Sequence, residues 1–223
     1  LTDVEAGSIR DGLALGDLFY VYKDSSTWAM QRVQSGFIYQ IRQVFTTLGI
    51  LAKHCVVALR RSHFVATAND LIIHDGVTPR SLISSKWRKF LLTHIDTTNF
   101  ANSYVVYNSE YGEVWFCFPE TGQVLPNLAL VVRGIDGAVG VRDIQSFPYI
   151  TTGRVTDKSN EHKLLFCDQV NSKFYEGDQT EQFNLVNMTS FVERTDLALI
   201  GKDRNNMPFS DLRVRKLVKR IWP

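Results

Sequence analysis

The sequence predicts a mainly β protein, a β-propeller-like array of antiparallel hairpins and blades with one inserted amphipathic helix. Three observations predict it. Period-two runs rich in Val, Ile, Phe, Tyr, Trp and Thr recur from one end to the other, separated by clusters of Gly, Asn, Asp and Ser. Five of these runs turn back on a second run through a short polar segment. Each such hairpin carries an apolar or aromatic residue in its first strand and another eight to ten positions later: Phe19 and Trp28, Phe64 and Ile72, Val105 and Trp115, Leu130 and Val139, Leu165 and Phe174.

In chain order, Leu18 to Tyr22 turns at Lys23 to Ser26 and returns as Thr27 to Gln31, and His63 to Thr67 turns at Asn69-Asp70 and returns as Leu71 to His74. Tyr104 to Tyr107 turns through Asn108 to Gly112 into Glu113 to Phe118, and Ala129 to Val132 turns at Gly134 to Gly137 into Val139 to Ile144. Leu164 to Cys167 with Lys173 to Glu176 makes the fifth hairpin. One segment breaks the pattern. Thr78-Pro79, followed by Leu82, Ile83, Trp87, Phe90, Leu91 and Ile95, offers an N-cap, a proline at the first helical position and apolar residues at helical spacing. This spacing predicts one amphipathic helix over Pro79 to Ile95. Its other face carries Arg80, Lys86, Arg88 and Lys89, a basic solvated face or, functionally, a surface for phosphate or for a neighbouring subunit.

Two hairpins make a four-stranded unit, and at about 40 to 50 residues per unit the 223 residues hold about four units or fewer. That is few for a closed ring, so the chain is expected to be part of a propeller and of a longer protein. Its start at Leu1, with no methionine before Met30, points the same way. The expected organisation is a propeller-like domain over residues 1–210, with the helix inserted at about 79–95, and a basic strand over 211–223 leading into a further C-terminal domain. In that strand Arg213, Arg215, Lys216, Lys219 and Arg220 alternate irregularly with apolar residues, whereas Asp157 to Asp203 holds nine acidic and five basic residues. An edge strand protected by charge fits the basic cluster better than a nucleic-acid groove.

Lys plus Arg number 25 against 23 Asp plus Glu, a net charge of +2, so no global field draws nucleic acid or membrane. No window approaches the roughly 18 apolar residues of a membrane span, and the opening residues lack the basic start and apolar stretch of a signal peptide. Cys55, Cys117 and Cys167 stand far apart among apolar neighbours and read as buried free thiols.

The chain offers little chemistry. His54, His63, His74, His94 and His162 show no metal-binding spacing and read mostly as surface or turn residues. Hydrolase, nucleotide and dinucleotide fingerprints are absent. Glu110, Glu113 and Glu120 lie near aromatic residues and are the candidates for a carboxylate pair acting on glycan, although strand-end carboxylates beside turns are usually solvated. Trp28, Trp87 and Trp115 sit inside periodic segments and read as core fillers. No catalytic, metal or cofactor residue is assigned.

The phrases at residues 11–30 (DGLALGDLFYVYKDSSTWAM), 45–52 (FTTLGILA), 63–67 (HFVAT), 70–76 (DLIIHDG), 113–120 (EVWFCFPE) and 140–144 (GVRDI) form a recognisable pattern, with a weaker echo at 216–223 (KLVKRIWP). The chain resembles the tail nozzle, or tail tubular protein B, group of structural proteins of short-tailed bacteriophages. It departs from the group's phrasing at 128–139 (LALVVRGIDGAV), where an aromatic turn with tryptophan is expected.

The resemblance implies a virion structural protein without enzymatic activity or cofactor, a subunit of a homo-hexameric tube in the phage tail. Double-stranded DNA would pass through that tube into the host, and its partners would be an adaptor and fibres or tailspikes. A tube that lets DNA slide cannot grip phosphates, since six to ten phosphate contacts already amount to roughly 1,000-fold in salt-dependent affinity. A lumen-facing part is therefore expected to be neutral or acidic. Arg80, Lys86, Arg88, Lys89, Arg213, Arg215, Lys216, Lys219 and Arg220 are then candidate contacts to subunits or other tail proteins. A glycan-degrading or glycan-binding tail propeller, and a protein-interaction propeller, are the alternative readings.

Overall fold

A computed structural model describes residues 7–33, 38–134, 137–144, 147–155, 161–168 and 172–177, together with four short strands further on. The chain divides into two units, Leu1–Gly177 and Asp178–Pro223. The second unit contributes two described hairpins, Gln182–Phe183 with Val186–Asn187 and Leu199–Lys202 with Pro208–Asp211.

The first unit is mainly β and propeller-like. Its first sheet comprises β1 (Ile9–Leu15), β2 (Leu18–Lys23), β3 (Thr27–Arg32) and β4 (Tyr39–Phe45). The second comprises β5 (Val56–Leu59), β6 (Ser62–Ala66), β7 (Leu71–His74) and β8 (Pro79–Ser81). The third comprises β9 (Tyr104–Asn108), β10 (Glu113–Phe118), β11 (Leu128–Arg133) and β12 (Val139–Asp143). The fourth comprises β13 (Tyr149–Val155), β14 (Glu161–Asp168) and β15 (Lys173–Glu176). Every sheet is an antiparallel meander in sequence order, so its first strand lies at one edge. These first strands meet one another in turn, β1 with β5, β5 with β9 and β9 with β13. All five hairpins read from the sequence are present. The turn between β1 and β2 leaves only Gly16 and Asp17 unpaired, and Gly16 takes the positive φ (59°) that the favoured two-residue hairpin turns use.

The strands of the third sheet explain why a hairpin protein contains unbroken apolar runs. Alternate residues point to opposite faces, and here both faces are covered. Val114, Phe116 and Phe118 join a core shared with the first two sheets, while Trp115 and Cys117 join a second core with Ile150 and Leu164 of the fourth sheet. Each such side chain is worth about 1.5 to 3 kcal/mol when fully buried.

The helix, α1, is shorter than its apolar spacing predicts. It runs over Ser85–His94 and packs Trp87, Phe90 and Leu91 on the larger core. The proposed start at Thr78-Pro79 is overturned by pairing. Pro79–Ser81 is strand β8, matched to Ile72, Ile73 and His74 of β7, and Leu82 N donates to Leu71 O beyond it. Proline suits this edge position because it has no ladder hydrogen to donate. The carboxylate of Asp75 accepts from Val77 N and Thr78 N, so the segment read as a helix cap is a side-chain-closed turn.

Candidate functional site

The residues singled out in the sequence do not form one site. Arg80 is exposed on β8, and Lys86 and Lys89 are exposed on α1. Arg88 turns the other way. Its guanidinium donates to Ser81 Oγ at 2.8 Å and pairs with Asp70 Oδ2 at 3.0 Å, tying the helix to the second sheet. Arg213, Arg215, Lys216, Lys219 and Arg220 lie outside the described residues. Of the three glutamates, Glu110 pairs with Lys163 Nζ at 2.5 Å, Glu113 accepts from Trp115 Nε1 at 3.1 Å, and Glu120 accepts from Asn127 Nδ2 at 2.8 Å. Each is engaged by its own structural partner. Among the described residues, no group of three or more His, Cys, Asp or Glu could hold a metal ion.

Two of the five histidines, a group read mostly as surface or turn residues, are in the core. His63 on β6 and His74 on β7 are 0% and 1% exposed, and both meet the hydroxyl of Tyr22 from β2. Their tautomers follow from their other partners. Gly76 N donates to His74 Nδ1, so His74 carries its proton on Nε2 and donates to Tyr22 Oη. His63 Nε2 faces Ala14 O and must carry the hydrogen there, so His63 Nδ1 accepts from the tyrosine. Burial pushes the His74 imidazole down to about 4, with the neighbouring His63 adding to the shift and Asp75 opposing it. It lowers His63 and raises Tyr22 likewise. All three stay neutral and sealed from solvent, so the cluster joins two sheets and has no route to a substrate. The sequence held one signal for it: period-two alternation puts His63 on the same face as Val65, and His74 on the same face as Ile72.

One groove of this unit lies where three sheet edges converge. β5, β9 and β13 are each the edge strand of a sheet, and between them lies a cavity of about 860 Å³. Its floor is β9 from Tyr104 to Tyr107, with Val57 and Ala58 on one side and Tyr149 to Thr152 on the other. Polar bonds close each seam at the strand starts. Val105 N donates to His54 O, Cys55 Sγ donates to Ser103 O, and Tyr104 Oη donates to Pro148 O while accepting from Ile150 N. Burial raises the Tyr104 phenol far above its usual range, so its proton stays in place.

Lys53, His54 and His162 are the basic groups that line this groove among the described residues. His54 sits at φ 67°, a left-handed conformation unusual for a residue with a side chain. Its N–H donates to Asp11 Oδ2 at 2.9 Å, and together with the Val105 bond this fixes the backbone. Sequence reading misses this grouping because Lys53 and His54 lie more than a hundred positions from His162.

No family model matches the chain, and no curated protein is similar to it. Among solved structures it is similar to the extracellular domain of a one-component system from B. thetaiotaomicron, at 13% identity and a TM-score of 0.39. That similarity covers 88% of this chain and 24% of the other.

Proposed function

We propose that this chain is a structural subunit of the tail nozzle of a short-tailed bacteriophage, assembling with copies of itself into a conduit for DNA and a platform for fibres or tailspikes. The family reading rests on the resemblance over residues 11–150. The observation that supports assembly is the outer face of the first sheet. Along β2, Tyr20 and Tyr22 point into the core, so Phe19 and Val21 point away from it. Register places Phe19 beside Met30 and Met30 beside Ile41, with Val21 beside Trp28. Phe19 and Ile41 are each 39% exposed, and Tyr39 on the same strand is 55% exposed. A contiguous cross-strand row of this kind marks a surface that another protein covers.

The exposed Arg80, Lys86 and Lys89 supply a second, charged contact area for other tail proteins. Charge at such a rim steers partners together more than it holds them. Antibody raised against the purified chain and applied to phage particles in negative stain tests the placement. Label at the distal end of the tail is expected; label confined to the capsid, or none on intact and opened particles, would overturn it.

A further inference from the structure

We infer that the outer face of the first sheet is met by the outer face of the fourth sheet on a second copy of this chain, in a head-to-tail seam that repeats the packing inside the unit. The inference rests on the self-assembly proposed from the first sheet and names the surface that meets it.

The sheets stack by one rule. In the second strand of each sheet, alternate residues point forward to the next sheet or back to the preceding one. Tyr22 of β2 points forward, and its hydroxyl meets His63 of β6. Trp115 of β10 points forward onto Phe166 of β14, with ring centroids 6.1 Å apart. The two inner sheets use both faces, since His63 to Ala66 on β6 and Val114 to Phe118 on β10 are all buried.

The two end sheets bury one face each. The first leaves the backward row of Phe19, Met30 and Ile41 partly exposed. On β14 of the fourth, Leu164 points back into the core with Trp115 and Ile150, and Phe166 follows it. Leu165 and Cys167 therefore point forward. Register sets Cys167 between Tyr149 on β13 and Phe174 on β15, and Leu165 beside Thr151. Tyr149 is 46% exposed and Phe174 72%, although both lie on strands. Single exposed apolar residues are ordinary, but a row that crosses three strands marks a covered surface.

The two faces match in shape as well. Each holds an apolar side chain flat over a glycine. Phe19 lies across Gly12, its ring 2.7 Å from where a Cβ would stand, and Leu165 lies across Gly153 at 2.6 Å. Two such faces pack closely, as sheets do within the unit.

Direction selects the partner. At every junction within the unit a forward face meets a backward one, and each copy carries one free face of each kind. A second copy placed in the same order continues that junction, whereas two first sheets face to face would reverse it. A head-to-tail contact of this kind closes into a ring when its rotation allows.

Sedimentation velocity of the purified full-length protein tests the seam with two variants, Phe19→Lys/Ile41→Lys on the first sheet and Tyr149→Lys/Phe174→Lys on the fourth. Each variant alone is expected to sediment as a single subunit at an unchanged melting temperature. Mixed in equal amounts, they retain one intact face each and are expected to form a species of two subunits and nothing larger. Phe174→Ser, which alters only the most exposed side chain of the row, is expected to weaken assembly tenfold or more. Wild-type assembly by the fourth-sheet variant, beside a first-sheet variant that stays single, would overturn the seam and leave self-assembly standing. A mixture that remains at one subunit would overturn the seam as well. A wild-type monomer would remove both, and a fourth-sheet variant of that monomer with a lowered melting temperature would show the face covered from within the chain.

Discussion

Tyr22 and His63 belong to neighbouring sheets, and the tyrosine hydroxyl lies 2.7 Å from His63 Nδ1 while His74 Nε2 approaches the same oxygen at 2.6 Å. The three groups form a one-way relay of hydrogen bonds, from His74 through Tyr22 to His63 and on to Ala14 O. Every donor has one acceptor. A buried polar network satisfied in this way fixes the packing of the first two sheets, and the same completeness makes it intolerant of a missing member.

Tyr22→Phe deletes the shared oxygen and strands the His74 donor and the His63 acceptor in the core. Two buried unsatisfied groups at about 1 to 3 kcal/mol each give an expected loss of about 2 to 6 kcal/mol in urea unfolding. A loss under about 1 kcal/mol would show that water or rearrangement replaces the hydroxyl.

The same relay sets an acid limit. Burial depresses both histidines, with His63 adding to the shift at His74, and a second proton would find Gly76 N–H at His74 Nδ1 and the Tyr22 hydroxyl at His63 Nδ1. The unfolded chain then binds more protons below its own histidine range. Stability is full above about pH 6.5 and falls as pH drops toward 4, by about 3 kcal/mol for His74. Lower still, Asp96 takes up the proton that Gly122, Asn99 and Thr98 N–H groups hold off, and a further loss follows. Urea melts from pH 7.5 to 4.5 are expected to show a falling midpoint; a flat profile would contradict the relay.

Gly49→Ala tests the junction between the first two sheets. A Cβ at this position would stand 2.1 Å from Asp24 O, and that backbone is held by Ile50 N donating to Lys23 O. The neighbour is main chain and cannot rotate aside. A loss of about 3 kcal/mol or more, or failure to fold, is expected from overpacking of this kind. Thermal melting beside the wild type reads it directly.

The charged face of α1 separates contact from stability. Lys86→Glu with Lys89→Glu changes two exposed residues and is expected to leave stability within about 0.5 kcal/mol. Co-sedimentation with tail partners is expected to fall. Arg88→Ala, by contrast, removes the links to Ser81 and Asp70 and is expected to lower stability by about 1 kcal/mol.

How much of this was legible in the sequence depends on the range of each interaction. Hairpins are local, and all five were readable because turn residues and period-two runs lie within twenty positions of each other. The helix was readable from Trp87, Phe90 and Leu91, but its start was not, since Asp75 and the β7 edge decide it from outside the helical pattern. His63 and His74 looked like surface residues because a histidine's burial depends on partners, and Tyr22 lies 41 and 52 positions away. The groove was invisible for the same reason. Lys53 and Ser103 precede two of the first strands and Tyr149 begins a third, and only the meeting of those strands brings them together.

Particle mass of the purified full-length protein by light scattering, with and without Phe19→Lys/Ile41→Lys, tests the central claim most directly. The account predicts a closed assembly of about six subunits that the double variant reduces to smaller species while its melting temperature holds. A wild-type monomer at every concentration, unchanged when tail partners are added, would contradict it.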